Sequence, residues 1–298
     1  TRILKNINPS LVHLFAQHFY SPAIILSRKP YILTSWGTEV LALPKETPII
    51  KILAKTAATM ASKITVDANM LKKMWTRQGI PEHKIQVIPF GIDREVFNPK
   101  IDGSKIRKKL AIKPNEIVFI STRALYNHHY DVETFVRAIP LILKTHRNTK
   151  FIIKGKGPLE NYLRTLTEKL GISQHVHFAG YVQYSEMANY LAAADIYVST
   201  CFADTTSVSL LEAMACGLAP IVTDIEGNRE WITDRENGFL FPPRNPATLA
   251  EKATQLIENE NLRDSFGEKC SETIKHRASW KECVDKMEHI YQSTLQKG

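Results

Sequence analysis

No apolar run in these 298 residues approaches the ~18 needed to cross a bilayer as a helix, which argues against a helical membrane span. The opening residues lack the charged-then-apolar pattern of a secretory leader. There are four cysteines, Cys201, Cys216, Cys270 and Cys283, and none shares a Cys-x-x-Cys spacing. They read as reduced, packed thiols of a cytosolic protein. No Asp-x-Asp motif occurs, so nothing in the sequence requires a metal or another cofactor. Basic and aromatic residues are not interleaved as in known nucleic-acid modules, which makes nucleic acid a poor partner.

What is present suits a two-domain globular protein. The length allows two proper cores, and a hydrophobic fraction of 44% is ordinary. The formal charge of +9 is unevenly placed. Residues 1–100 hold 14 Lys and Arg against 6 Asp and Glu, while residues 101–298 are nearly balanced at 25 against 24. A basic first third attracts an anionic membrane surface or a pyrophosphate-linked acceptor, and equally reads as a solvated surface without a partner.

Along the chain, strands alternate with helices. Residues 10–15 and 30–35 read as buried strands with a helical stretch between them. Residues 49–63 carry apolar positions at helical spacing beside Lys51 and Lys55, and read as a packed helix or as one lying on a membrane. Strands follow at 63–66 and 85–89. A linker at 93–103 contains Pro99 and Gly103. Beyond it, strands at 117–121, 150–154, 176–178, 196–199 and 220–222 alternate with helices at 132–145, 159–171, 185–194 and 207–215. Continuous apolar strands in this rhythm predict an α/β fold with a doubly wound parallel sheet. Ligands of such sheets sit at the carboxyl ends of the strands, where Arg123, Lys154, Tyr181, Asp204 and Asp224 fall.

Residues 199–243 are the most informative stretch. Asp204 and Glu212 lie eight positions apart, across a Thr205-Thr206-Ser207 turn that opens a helix. The first turn of a helix offers unpaired N–H groups and a partial positive charge, a cradle for phosphate. Carboxylates beside it suit sugar hydroxyls, so the segment reads as a site for a sugar attached to a phosphate. Each residue also has a plainer reading. Asp204 is a good helix N-cap, Glu212 a solvated helical face, and Arg123 a surface arginine.

The run Glu212-Ala213-Met214-Ala215-Cys216-Gly217 resembles the donor signature of family-4 retaining glycosyltransferases, the glycosyl transferases of group 1. Thr223-Asp224, Gly227, Glu230 and Asn237-Gly238-Phe239-Leu240 follow the same pattern. So do Pro89-Phe90-Gly91-Ile92-Asp93 with Phe97, and Phe178-Ala179-Gly180-Tyr181. The resemblance runs from about residue 9 to the end. It implies the GT-B fold, two Rossmann-like doubly wound domains. The expected boundaries are an acceptor-side domain at 1–98, a donor domain at 99–279, and a helix at 280–298 crossing back to the first. The family's glycine-rich loop near its start has no counterpart here, so the first domain is expected to be incomplete.

By this resemblance Glu212 accepts hydrogen bonds from the ribose diol, and Asp204 stands where a Glu meets hydroxyls of the transferred sugar. Arg123 clamps the donor diphosphate and stabilises the leaving nucleotide. Thr205, Thr206, Ser207 and Val208 replace the usual Gly-Phe-Gly segment around the diphosphate. Tyr181 and Lys154 complete the donor side. The lysine that normally follows the arginine is replaced at His128 and His129, with Lys154 or Lys156 as substitutes. His13 and His18 fall near the acceptor-side histidine, each with a structural reading beside it, and Glu39 is a candidate acceptor contact. Asn228 and Glu230 are candidates to close over the sugar.

The implied activity is retaining transfer from a UDP- or GDP-sugar to a hydroxyl of a glycan or lipid-linked glycan. The expected setting is cell-envelope or exopolysaccharide synthesis, in the cytoplasm or on the inner face of the membrane. The rivals are a truncated, non-catalytic nucleotide-sugar binder, a basic membrane-surface module, and an epimerase on the same fold.

Overall fold

The computed structural model describes residues 2–15, 17–37, 48–126 and 128–296, with only the backbone of 17–21. The side chain of His18 and the whole of Glu39 lie outside the described residues. The chain divides into two compact units, Thr1–Gly91 with Trp280–Gly298, and Ile92–Ser279.

In the first unit four parallel strands pair in chain order. They are β1 (Val12–Phe15), β2 (Tyr31–Ser35), β3 (Lys63–Val66) and β4 (Ile85–Val87). β2 is buried along its whole length, as a strand covered on both faces must be. Trp75, from the Asn69–Arg77 helix, fills the core beneath it. The Pro48–Met60 helix packs inward through Ala54, Ala57 and Ala58. Small residues face the core, so the larger Ile49 and Ile52 stay outside, 70% and 64% exposed, beside exposed Lys51 and Lys55. The closing Trp280–Leu295 helix belongs to this unit.

The second unit is a six-stranded parallel sheet. Its strands are β5 (Ile117–Ser121), β6 (Thr149–Lys154), β7 (Val176–Gly180), β8 (Ile196–Ser199), β9 (Ala219–Thr223) and β10 (Phe239–Phe241). Their spatial order is β10-β9-β8-β5-β6-β7, so the winding direction reverses between β5 and β8. Phe119 and Phe151 stack at 5.1 Å across β5 and β6, and Phe135 meets Phe151 edge-on at 6.0 Å. A left-handed Gly171 follows the Glu160–Lys169 helix, the stop that the sequence suggested.

Several helices were not anticipated, the longest of them Pro246–Glu258 and Glu260–Arg277. Asn245 and Asn259 cap these two, accepting from Thr248 N at 3.0 Å and Leu262 N at 2.9 Å. The segment after Gly91 packs on this second unit. Ile92 N donates to Ala278 O at 2.7 Å, and buried Phe97 meets Tyr184 at 5.5 Å. All four cysteines are buried and unpaired.

Candidate functional site

A parallel sheet aims its carboxyl-end loops at one edge, and a reversal in winding opens a crevice there. Arg123 leaves the end of β5 and Asp204 follows β8, so the two flank that reversal. Asp204 Oδ2 accepts from Arg123 Nη2 at 2.6 Å. Arg123 Nη1 donates to the Ser207 hydroxyl, and to Ser209 Oγ at 3.1 Å. The guanidinium lies 4.4 Å from the centre of the Tyr130 ring. Arg123 is only 7% exposed, and its Nε is buried without a hydrogen-bond partner.

Ser207, rather than Asp204, caps the Val208–Ala215 helix, taking Leu210 N at 3.3 Å. The N-cap reading of Asp204 is thereby corrected. Its other oxygen accepts from Thr205 N at 2.9 Å instead, tying the carboxylate to its own loop. Thr205 and Thr206 are buried and Val208 is partly exposed.

The β8 loop is fastened on two sides. Phe202 N donates to His129 O at 3.0 Å, and Thr200 Oγ1 to Tyr130 O at 3.0 Å. Gly227, in the short Glu226–Arg229 helix, lies so close that a Cβ there would collide with the Thr205 carbonyl oxygen and stand 2.6 Å from that of Asp204. Gly155 and Gly157 play the same part against the other loop. A Cβ on Gly155 would strike the Arg123 carbonyl, and one on Gly157 would strike Leu125.

Glu212 is 7% exposed on the Val208–Ala215 helix, not on a solvated face. Burial pushes its carboxyl up to about 7, against the pull of Lys154, which is itself lowered by burial. The sign of the linkage follows. A carboxyl raised above its ordinary 4.5 holds its proton more tightly folded than unfolded, so stability falls as pH climbs from about 4.5 through about 7. Glu212→Gln should flatten that slope and raise the melting temperature of the unliganded protein by several degrees at pH 8. Melting curves from pH 5 to 8 check it, and an unchanged slope in the variant would refute the assignment.

Other candidates fall differently. Tyr181 stands 75% exposed after β7, at the sheet edge and two strands from β5. Asn228 spends its amide on Thr223 O at 2.8 Å, which makes it a brace for the β9 loop rather than a lid. Asp224 is held by both arms of Arg229. Burial, and then the charge of Arg123, lower the His129 imidazole, which keeps it neutral near pH 7.

In the first unit His13 has both ring nitrogens engaged, with Tyr291 Oη at 2.7 Å and Thr34 Oγ1 at 2.5 Å. Sequence reasoning missed Tyr130, Ser209 and Tyr197, whose hydroxyl meets Ser209 Oγ at 2.9 Å. Of these only Ser209 left a trace, a second serine in the helix's first turn. Together the guanidinium, the capped helix start and the hydroxyls form an anion cradle, and Glu212 and Lys154 offer partners for a diol.

The model of the glycosyl transferases group 1 family matches residues 102–273, and that of the glycosyl transferase 4-like family matches residues 1–68. An uncharacterized glycosyltransferase of Methanocaldococcus jannaschii is 25% identical over 236 residues, 78% of this chain and 60% of its own length. The chain thus spans less than two thirds of that relative. The N-acetyl-alpha-D-glucosaminyl L-malate synthase of Bacillus anthracis is 25% identical over 98% of this chain and 76% of its own. Among solved structures, Anabaena HepE in complex with UDP-glucose superposes with a TM-score of 0.85 at 18% identity, covering 98% of this chain and 81% of that one. Two parallel α/β units, a cradle at the winding reversal and a family match over most of the second unit agree: the chain belongs to the group 1 glycosyl transferases and has the GT-B fold.

Proposed function

We propose that this chain transfers a sugar, with retention of configuration, from a nucleotide-sugar to a hydroxyl acceptor. The acceptor class we favour is a glycan or lipid-linked glycan of the cell envelope. The observation that carries the reading is Arg123, buried, fixed by two serines and an aromatic ring, at the winding reversal of the sheet. Its charge and the Ser207 helix start would meet the donor diphosphate, where negative charge grows as the glycosidic bond breaks. Glu212 would take the ribose diol, Asp204 the transferred sugar, and Lys154 would add positive charge in place of the usual lysine. Thr205, Thr206 and Val208 would line the phosphate path, and the exposed Tyr181 ring would offer a face to the base. The acceptor hydroxyl would attack from the face the diphosphate leaves. The UDP-glucose bound by the Anabaena structure supports a sugar nucleotide as donor.

Thermal unfolding with UDP, GDP, ADP and their common sugar conjugates tests this. A ligand at ~100 times its Kd adds about 2.7 kcal/mol, a rise of several degrees in Tm. One nucleotide should shift the curve and fail to do so in Glu212→Ala. No shift with any of them would sink the proposal. A shift without transfer or donor hydrolysis would reduce the chain to a binder.

A further inference from the structure

A run of aromatic rings leads out along the carboxyl ends of the first sheet. Tyr291, on the closing helix, meets His13 edge-on at 5.6 Å between ring centres. His13 lies 4.0 Å from Phe15, Phe15 5.3 Å from Trp36, and Trp36 5.9 Å from Phe90. Phe15 is the last residue of β1, Trp36 directly follows β2, and Phe90 lies three residues past β4. The inner end of the run is fixed. His13 is tied at both ring nitrogens, and Thr34, which holds one of them, also meets the Thr65 hydroxyl at 2.5 Å. The outer end faces water, with Phe15 43% and Trp36 46% exposed. Single exposed apolar residues are ordinary, but adjoining large rings left in water mark a binding surface. They stand at the carboxyl ends of parallel strands, where such sheets present their ligands.

The chemistry of these faces selects what can lie on them. An aromatic face carries partial negative charge, and the C–H groups on one side of a pyranose carry partial positive charge. A sugar can therefore lie flat on the rings and keep its hydroxyls in water or free to react. An alkyl chain is held by enclosure, and rings half in solvent do not enclose one. A small anionic acceptor would be held by a cation, and Phe15, Trp36 and Phe90 carry no charge. Building on the transfer reaction proposed above, we infer that these three residues form an acceptor-binding strip that holds a pyranose ring of a glycan by its C–H face. Trp36 is its centre, because it has the largest face and touches both neighbours. The strip fixes the plane of the sugar, and with it which hydroxyl is offered for transfer.

The test is saturation-transfer-difference NMR of the 298-residue chain with the methyl glycosides of glucose, galactose, mannose and N-acetylglucosamine. Glycerol serves as a hydroxyl compound without a ring. Irradiating the aromatic protons should saturate the C–H protons on one face of at least one glycoside and leave glycerol untouched. Trp36→Ala should weaken binding of that glycoside roughly tenfold, the scale of one lost aromatic contact, and Phe15→Ala should weaken it as well. Trp36→Phe keeps a flat apolar face and should keep most of the binding, which guards against a folding defect in the alanine variant. Melting curves with the nucleotide-sugars separate the two readings, because the proposed donor site lies in the second unit. Equal glycoside signals in wild type and Trp36→Ala would overturn the strip, as would none from any glycoside beside a preserved nucleotide shift, and either leaves the donor site standing. Neither a glycoside signal nor a nucleotide shift in the wild type would overturn both.

Discussion

Arg123→Met is expected to lower turnover by roughly 10²–10³-fold, the scale seen when one preorganised donor to a developing negative charge is removed. Among the described residues no other lysine or arginine is hydrogen-bonded to Ser207 or Asp204, and the neighbouring imidazole of His129 is held neutral by burial and by Arg123 itself. Arg123→Lys should recover little. A lysine is a point charge without the fork that lets one guanidinium meet Ser207, Ser209 and Asp204 together. Affinity for the nucleoside diphosphate should fall with turnover, while affinity for the nucleoside alone stays. Rates with the donor found by thermal shift, and titrations with both ligands, measure this. Equal diphosphate affinity in wild type and Arg123→Met would remove Arg123 from the site.

Gly227→Ala should be a strongly damaging small substitution at the site of the second unit. The added methyl must displace the backbone of Asp204 and Thr205 or be displaced by it. Retreat of the short helix is blocked, since Asn228 binds Thr223 and Arg229 grips Asp224 on the same turn. Overpacking of this kind costs about 1–3 kcal/mol, or roughly 2–12 °C in Tm for a domain of this size. The loop carrying Asp204 should shift, so sugar-nucleotide affinity falls as well. Gly171→Ala is the contrast. Gly171 has a left-handed φ of 68° with nothing near its added methyl. It should cost about 1 kcal/mol through backbone strain and leave nucleotide affinity unchanged. Paired melting curves and titrations decide, and equal nucleotide affinity in Gly227→Ala and wild type would break the link between that glycine and the site.

The parallel strands were legible because burial on both faces writes an unbroken apolar run, as in Ile117–Ser121 and Ile196–Ser199. β10 was not, because Phe239–Phe241 is too short to show a period and merges with the preceding Asn237-Gly238. Capping asparagines at 245 and 259 were available signals for two helices that went unread. At the site, Arg123 and Ser207 could be found because each opens or closes an element. Tyr197 could not be joined to them, since a tyrosine in a buried strand reads as core until its hydroxyl is seen to bond outward, and Tyr130 and Ser209 meet Arg123 only once the loops are brought together in space. The signature itself mixes two kinds of residue. Glu212 is buried with a raised carboxyl and is the one we propose for ribose binding, whereas Asn237 braces a loop, donating to Trp231 O at 2.9 Å and accepting from Thr233 N at 2.8 Å. Sequence alone cannot separate them, because both sit in equally ordered motifs.

The buried thiols have a practical consequence. Burial holds all four cysteines above their ordinary value, Cys216 at about 12, so almost no thiolate is present near neutral pH. Alkylating dyes attack thiolates, and the folded chain offers them a dark background. A single cysteine introduced at exposed Tyr181 would take a fluorophore alone, and its emission could report occupancy of the site in real time without any change to the native cysteines.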